Sequence, residues 1–206
     1  KSGAAAYYKK LYALDNPRHQ QYLAKAGFLF EEAGDIEKAY KAYNEFINRK
    51  YVNPDVNLRL ANLEFDKKNY DKVIPLLSSL DKKHLGKHEA HILAVSCFTT
   101  GRFAQALPWL TITEKDSPED ADVVRMCAVS YEETKDLEMA RKKYAALIPL
   151  VKGKEKAHIA YHIAGLYEME GRPGNALTRY RENVARYPDD MRNVERAVAI
   201  MLKQKD

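Results

Sequence analysis

The sequence predicts an all-α solenoid of antiparallel helix pairs, on three observations: a turn motif that recurs five times, a small residue at one fixed place in every unit, and a helix-compatible composition. The motif is a small or turn residue followed five positions later by a residue opening a new apolar face. It reads Gly34-Asp35-Ile36-Glu37-Lys38-Ala39, Lys68-Asn69-Tyr70-Asp71-Lys72-Val73, Gly101-Arg102-Phe103-Ala104-Gln105-Ala106, Lys135-Asp136-Leu137-Glu138-Met139-Ala140 and Gly171-Arg172-Pro173-Gly174-Asn175-Ala176. Its closing residues are 34, 33, 34 and 36 apart, and a fixed period of this length marks a repeat architecture.

A unit that starts nineteen residues before each closing residue gives repeats at 20–53, 54–86, 87–120, 121–156 and 157–190. The eighth position, where two helices cross closely, is then Gly27, Ala61, Ala94, Ala128 and Ala164. Any larger side chain would hold the helices apart. The eleventh, filling the hairpin interior, is Phe30, Glu64, Cys97, Tyr131 and Tyr167, with Glu64 the single departure; the twenty-fourth is Tyr43, Leu77, Leu110, Tyr144 and Tyr180. Pro118 and Pro188 fall where a second helix must stop, with Pro54 doing similar work slightly late. Pro75 and Pro108, early in second helices, are expected in the first turn, where a missing amide costs little.

Both ends read as partial units. Ala4, Tyr8, Leu11 and Asp15-Asn16-Pro17 match a second helix (1–19), and a terminal helix over 191–206 should turn Val194, Ala197, Val198 and Met201 to one side. The start without an initiator Met reads as part of a longer chain, since a solenoid cut internally exposes half units.

Composition is consistent with this. Hydrophobic residues are 46% and charged residues 31%, with only 9 Gly and 8 Pro, which suits a folded soluble helical protein. No stretch reaches the roughly 20 apolar residues of a membrane span. Cys97 and Cys127 have no metal-motif spacing and read as small core residues, a disulfide between neighbouring helices being the alternative. His84, His88 and His91, and the pair His158 and His162, have helical spacing, but a metal site needs three or four converging ligands. Adjacent glutamates such as Glu31-Glu32 and Glu132-Glu133 point about 100° apart on a helix and do not form an acid/base pair. Neither an enzyme active site, a cofactor nor a metal is expected.

The five-fold motif and its small eighth position resemble the tetratricopeptide-repeat (TPR) family over essentially the whole chain. HEAT arrays have longer units and lack this turn. The resemblance implies a right-handed superhelical solenoid whose first helices line a concave surface, with positions two, five, nine, twelve and thirteen pointing into it. Unit one offers Gln21, Ala24, Phe28, Glu31 and Glu32; unit two Asp55, Leu58, Asn62, Phe65 and Asp66; unit three His88, His91, Val95, Phe98 and Thr99. Units four and five offer Asp122, Arg125, Val129, Glu132 and Glu133, then His158, Tyr161, Gly165, Glu168 and Met169.

Eight of these twenty-five positions are acidic and one is basic. The expected groove therefore carries −7, which leaves +12 for the rest of a chain whose total is +5. An acidic, aromatic-studded groove suits a protein segment or another extended ligand that is cationic or amine-bearing, and argues against nucleic acid. The family's clamp for chaperone C-termini is not matched, because Ala24 and Phe28 occupy positions that need basic or amide groups. Similar arrays in bacterial periplasmic export of cationic exopolysaccharides make a guide or recruiter in the periplasm, rather than the cytoplasm, one alternative; a docking arm of a larger enzyme is another.

Overall fold

The computed structural model describes residues 2–13 and 19–203, and the chain divides into two compact units, Lys1–Thr100 and Gly101–Asp206. Every regular element among the described residues is helical. The first unit holds α1 (Ser2–Ala13), α2 (His19–Glu32), α3 (Ile36–Asn48), α4 (Pro54–Asp66), α5 (Tyr70–Ser78) and α6 (Lys87–Thr99), with a 3-10 turn at Lys82–His84. The second holds α7 (Phe103–Asp116), α8 (Ala121–Glu133), α9 (Leu137–Leu147), a 3-10 turn at Ile148–Leu150, α10 (Lys154–Met169), α11 (Pro173–Arg186) and α12 (Arg192–Lys203). Within each unit every helix packs against the next in the chain, as expected where apolar faces are buried only against neighbours.

The recurring turn has one physical cause. Its first residue is left-handed every time: φ is 78° at Gly34, 59° at Lys68, 72° at Gly101, 66° at Lys135 and 70° at Gly171. That conformation reverses the chain after a first helix and lets two amides reach back to the last helical carbonyls. Thus Gly34 N–H donates to Glu31 O and Asp35 N–H to Phe30 O, each at 2.9 Å, and the pattern returns at Lys68 and Asn69, Lys135 and Asp136, and Gly171 and Arg172. Asp35 and Asp136 then cap α3 and α9 through their side chains. Glycine pays no Cβ penalty in this region; lysine does.

The eighth position is as tight as its small residues require. A Cβ on Gly27 would lie 2.3 Å from Tyr43 Cε1, and Ala61, Ala94, Ala128 and Ala164 are completely buried. In the second unit Ala128 and Tyr144 share one core cluster, and Ala164 and Tyr180 another.

Several local expectations need correction. Pro54 does not end a helix: α3 stops at Asn48, and Pro54 is the first residue of α4, capped by Asn53. Its fixed φ and missing amide suit that place. Pro75 and Pro108 are each the sixth residue of their helices, so an amide is missing from the second turn rather than the first. On α12 the buried residues are Asn193, Ala197 and Ile200, while Val198 is exposed, because Asn193 is drawn inward by the Asn183 amide at 3.1 Å. On α1 Ala5, not Ala4, is buried; Asp15-Asn16-Pro17 lies outside the described residues. Cys97 and Cys127 are buried free thiols, and burial beside Glu114 pushes the Cys127 pKa up to about 12.

Two predictions follow from the turn and the crossing. Lys68→Gly and Lys135→Gly should each raise stability by about 0.5 kcal/mol, the left-handed penalty less the entropy that glycine adds to the unfolded chain. Gly27→Ala should lower it by about 2 kcal/mol through overpacking against Tyr43. Urea titration reads all three, and equal midpoints for Gly27→Ala and the parent would contradict the close approach.

Candidate functional site

The face formed by the first helices carries the expected site residues, and their surroundings differ sharply. Three of the acidic positions belong to one repeated device. Glu31 accepts a hydrogen bond from Tyr43 Oη at 2.5 Å and pairs with Arg59 at 3.0 Å. Glu132 accepts from Tyr144 Oη at 2.8 Å and meets His162 Nε2 at 2.8 Å. Glu168 accepts from Tyr180 Oη at 2.6 Å and is bridged by Arg196. In each, the tyrosine comes from the second helix of the same hairpin and the third partner, an arginine or a histidine, from the next first helix. One carboxylate therefore ties three helices together.

The electrostatics keep the three phenols protonated. Burial, followed by the hydrogen bond to the glutamate, raises the Tyr43, Tyr144 and Tyr180 phenols well above the ordinary value, so all three remain donors. At Glu168 burial acts to raise the pKa, but Arg196 and Tyr180 outweigh it and the net direction is down. Glu31, Glu132 and Glu168 are therefore not free to meet a ligand's charge in the way the sequence alone suggested.

Glu64, the departure at the eleventh position, is 1% exposed. Its carboxylate accepts from Tyr40 Oη at 2.8 Å, Asn69 Nδ2 at 2.6 Å and Lys72 Nζ at 3.2 Å. Burial raises its pKa, but these three donors together bring it below the ordinary glutamate value. It is a satisfied internal node.

The remaining first-helix residues are placed as follows in the first unit. Phe28 is half-buried with the Arg59 guanidinium 5.0 Å above its ring and Tyr43 at 5.8 Å. Asn62 is bridged to the exposed His88 at 2.9 Å. Phe65 packs edge-on to Tyr70 at 5.7 Å. Leu58, His91 and Phe98 are half-buried, and Glu32, Asp55 and Asp66 are exposed.

In the second unit Arg125 bridges to Glu155 at 2.7 Å and lies 3.9 Å from the exposed Asp122. Tyr161 lies under the Arg192 guanidinium at 4.6 Å, beside Tyr180. Glu133 and His158 are exposed. Among the described residues no three His, Cys, Asp or Glu side chains converge as a metal set would.

Both Glu64 and Glu168 have folded-state pKa values below the ordinary 4.5. Their stabilisation is therefore complete above the unfolded-state value and is lost as pH falls through the folded one. Glu64→Gln with Glu168→Gln should lower stability at neutral pH by about 2–4 kcal/mol, about 1–2 for each charged hydrogen-bonding centre. The double variant should also lose less stability than the parent between about pH 5 and about pH 3, as read by urea titration at each pH; parallel pH profiles would contradict the assignment.

No family model matches the chain, and no curated protein matches it. Among solved structures it is similar to MamA AMB-1, with 19% identity and a TM-score of 0.55 over 85% of this chain and 94% of that one. It is also similar to MamA MSR-1, with 17% identity and a TM-score of 0.52 over 81% and 95%. A third similar structure is YrrB, a TPR protein with an unusual peptide-binding site, at 15% identity and a TM-score of 0.51 over 93% and 98%. At such identities the likeness bears on fold. Taken with the left-handed turns and the small crossing residues, it shows that this chain has the tetratricopeptide-repeat fold.

Proposed function

We propose that the chain is a non-enzymatic interaction scaffold, with repeats bounded as read from the sequence, each of whose two units takes a cationic segment of a partner protein on its first helices. The observation that carries this reading is the exposed carboxylates on those helices that the internal network leaves over. Asp55 and Asp66 stand in the first unit and Glu133 in the second, where Asp122 is already 3.9 Å from Arg125. Half-buried Leu58 and Phe65 lie on the same helix as Asp55 and Asp66, so a lysine- or arginine-rich segment would find apolar contact between charged stations. Peptide binding by the similar YrrB supports a peptide ligand for the fold.

The electrostatic part of the reading is smaller than the residue count suggests. Arg59 and Arg196 stand on the same first-helix elements, and three glutamates are engaged internally. Specificity then rests on Asp55, Asp66 and Glu133, which enter none of these pairs, so charge reversal there leaves the folded network intact.

Asp66→Lys with Glu133→Lys should weaken binding of a labelled Lys/Arg-rich peptide by about tenfold in fluorescence anisotropy, and added salt should weaken the parent's binding. An amino-sugar oligomer serves as the parallel ligand for the polysaccharide alternative. Peptide affinity that ignores both salt and these substitutions would overturn the proposal.

A further inference from the structure

The second unit contains a cleft of about 760 Å³ between α9, α10 and α11 that shares no residue with the first-helix positions discussed above. Its base is apolar, formed by Ala145, Ile148 and Pro149 with Ala160, Ile163 and Tyr167. Its walls carry six cations: Arg141 and Lys142 from α9, Lys156 from α10, Arg172 at the N-cap of α11, and Arg179 and Arg186 on α11. Three carboxylates answer them, Glu138 on Lys142, Glu182 on Arg179, and Glu170 on both Arg141 and Arg172. Lys156 and Arg186 have no carboxylate partner among the described residues.

The arrangement is built rather than incidental. Arg141 is 8% exposed, stacked over Tyr167 at 4.2 Å, and held 2.6 Å from Glu170. Its buried Nη1 makes no hydrogen bond, so the pair with Glu170 is Coulombic. A guanidinium paired with a carboxylate is thus held fixed in the cleft wall. Arg179 and Arg186, seven residues apart, share one side of α11, and Arg172 at its N-cap lines the same cleft. At 1.5 Å per residue they form a stripe about 21 Å long, the reach of about six residues of extended peptide.

We propose that this cleft is a second interaction surface, which takes an acidic peptide segment of a partner protein anchored by one apolar side chain. Carboxylates of the segment would meet Arg179, Arg186 and Lys156, where guanidinium groups can engage a carboxylate through two parallel hydrogen bonds. Its leucine or phenylalanine would cover Ile148 and Ile163. A nucleic acid fits less well, because Glu138, Glu170 and Glu182 interrupt the positive wall that a continuous phosphate backbone needs and the apolar base would stay uncovered.

The test uses the full chain and a fluorescent six-residue peptide of Asp and Glu around one Leu, with a Leu→Ser peptide and a single-stranded oligodeoxynucleotide of equal charge as comparisons. Arg179→Glu with Arg186→Glu should weaken peptide binding at least about tenfold. Lys156→Glu, which breaks no internal pair, should weaken it about threefold with an unchanged melting temperature. The Leu→Ser peptide should bind more weakly than its parent. Asp66→Lys with Glu133→Lys should leave this affinity unchanged, which separates the cleft from the first-helix reading. Affinity unaltered by Lys156→Glu, indifference to the leucine, or tighter binding of the oligonucleotide than of the peptide would each overturn the proposal.

Discussion

The close crossing of the two helices in a hairpin is the constraint on which the other contacts depend. At Gly27 there is no room for even a methyl group beside Tyr43. The ring fills that space, its hydroxyl donates to Glu31, and Glu31 in turn pairs with Arg59 on the next first helix. A backbone distance inside one hairpin thereby sets an ion pair to the following one. The same order of events runs from Ala128 through Tyr144 and Glu132 to His162, and from Ala164 through Tyr180 and Glu168 to Arg196.

The device is replaceable as a whole but not in parts. Where the twelfth position is Phe65, the twenty-fourth is Leu77 and the sixth of the following repeat is Ile92. An all-apolar set solves the same burial problem without directional bonds. A mixed set would leave a glutamate desolvated without a donor, or a phenol without an acceptor, and each costs more than either complete solution returns. The joint switch of three positions across two units is therefore a physical requirement of nearest-neighbour packing. Half-exposed pairs such as Glu31–Arg59 contribute modestly by themselves; their larger effect is to fix which first helices stand side by side.

The helical turns were legible because each rests on local chemistry. The motif that ends a first helix needs a left-handed residue, and Gly34, Gly101 and Gly171 announce one directly. Lys68 and Lys135 were legible only through the period, since lysine has no intrinsic preference for that region. Misjudged elements depended on facts beyond the repeat. Pro54 looked like a stop until the cap by Asn53 placed it at a start. Val198 looked like part of the buried side, but Asn193 turns inward to Asn183 and Val198 is exposed. On the functional face, the acidic count was correct residue by residue, yet counting treats each charge as independent. The tyrosine twelve residues after Glu31, Glu132 and Glu168, with an arginine or histidine 28 or 30 residues after, was present in the sequence and would have identified those three as internal.

Net charge has little meaning for such a molecule, because its surface is organised by helix type. First helices present carboxylates, and some of those are consumed in holding the array together. Second helices of the second unit present cations over an apolar base, and several of those are likewise consumed, by Glu138, Glu170 and Glu182. What a partner would meet is the remainder: Asp55, Asp66 and Glu133 on first helices, and, at the cleft, Arg186 on α11 with Lys156 on the first helix α10. Since both remainders are small, affinity on either surface must come from charge combined with apolar contact, which favours short amphipathic peptide segments over uniformly charged polymers. The repeat itself makes this division possible. A helix pair has two unlike outer faces, and stacking repeats each of them along the array, so a single chain can offer chemically opposite surfaces without any additional domain.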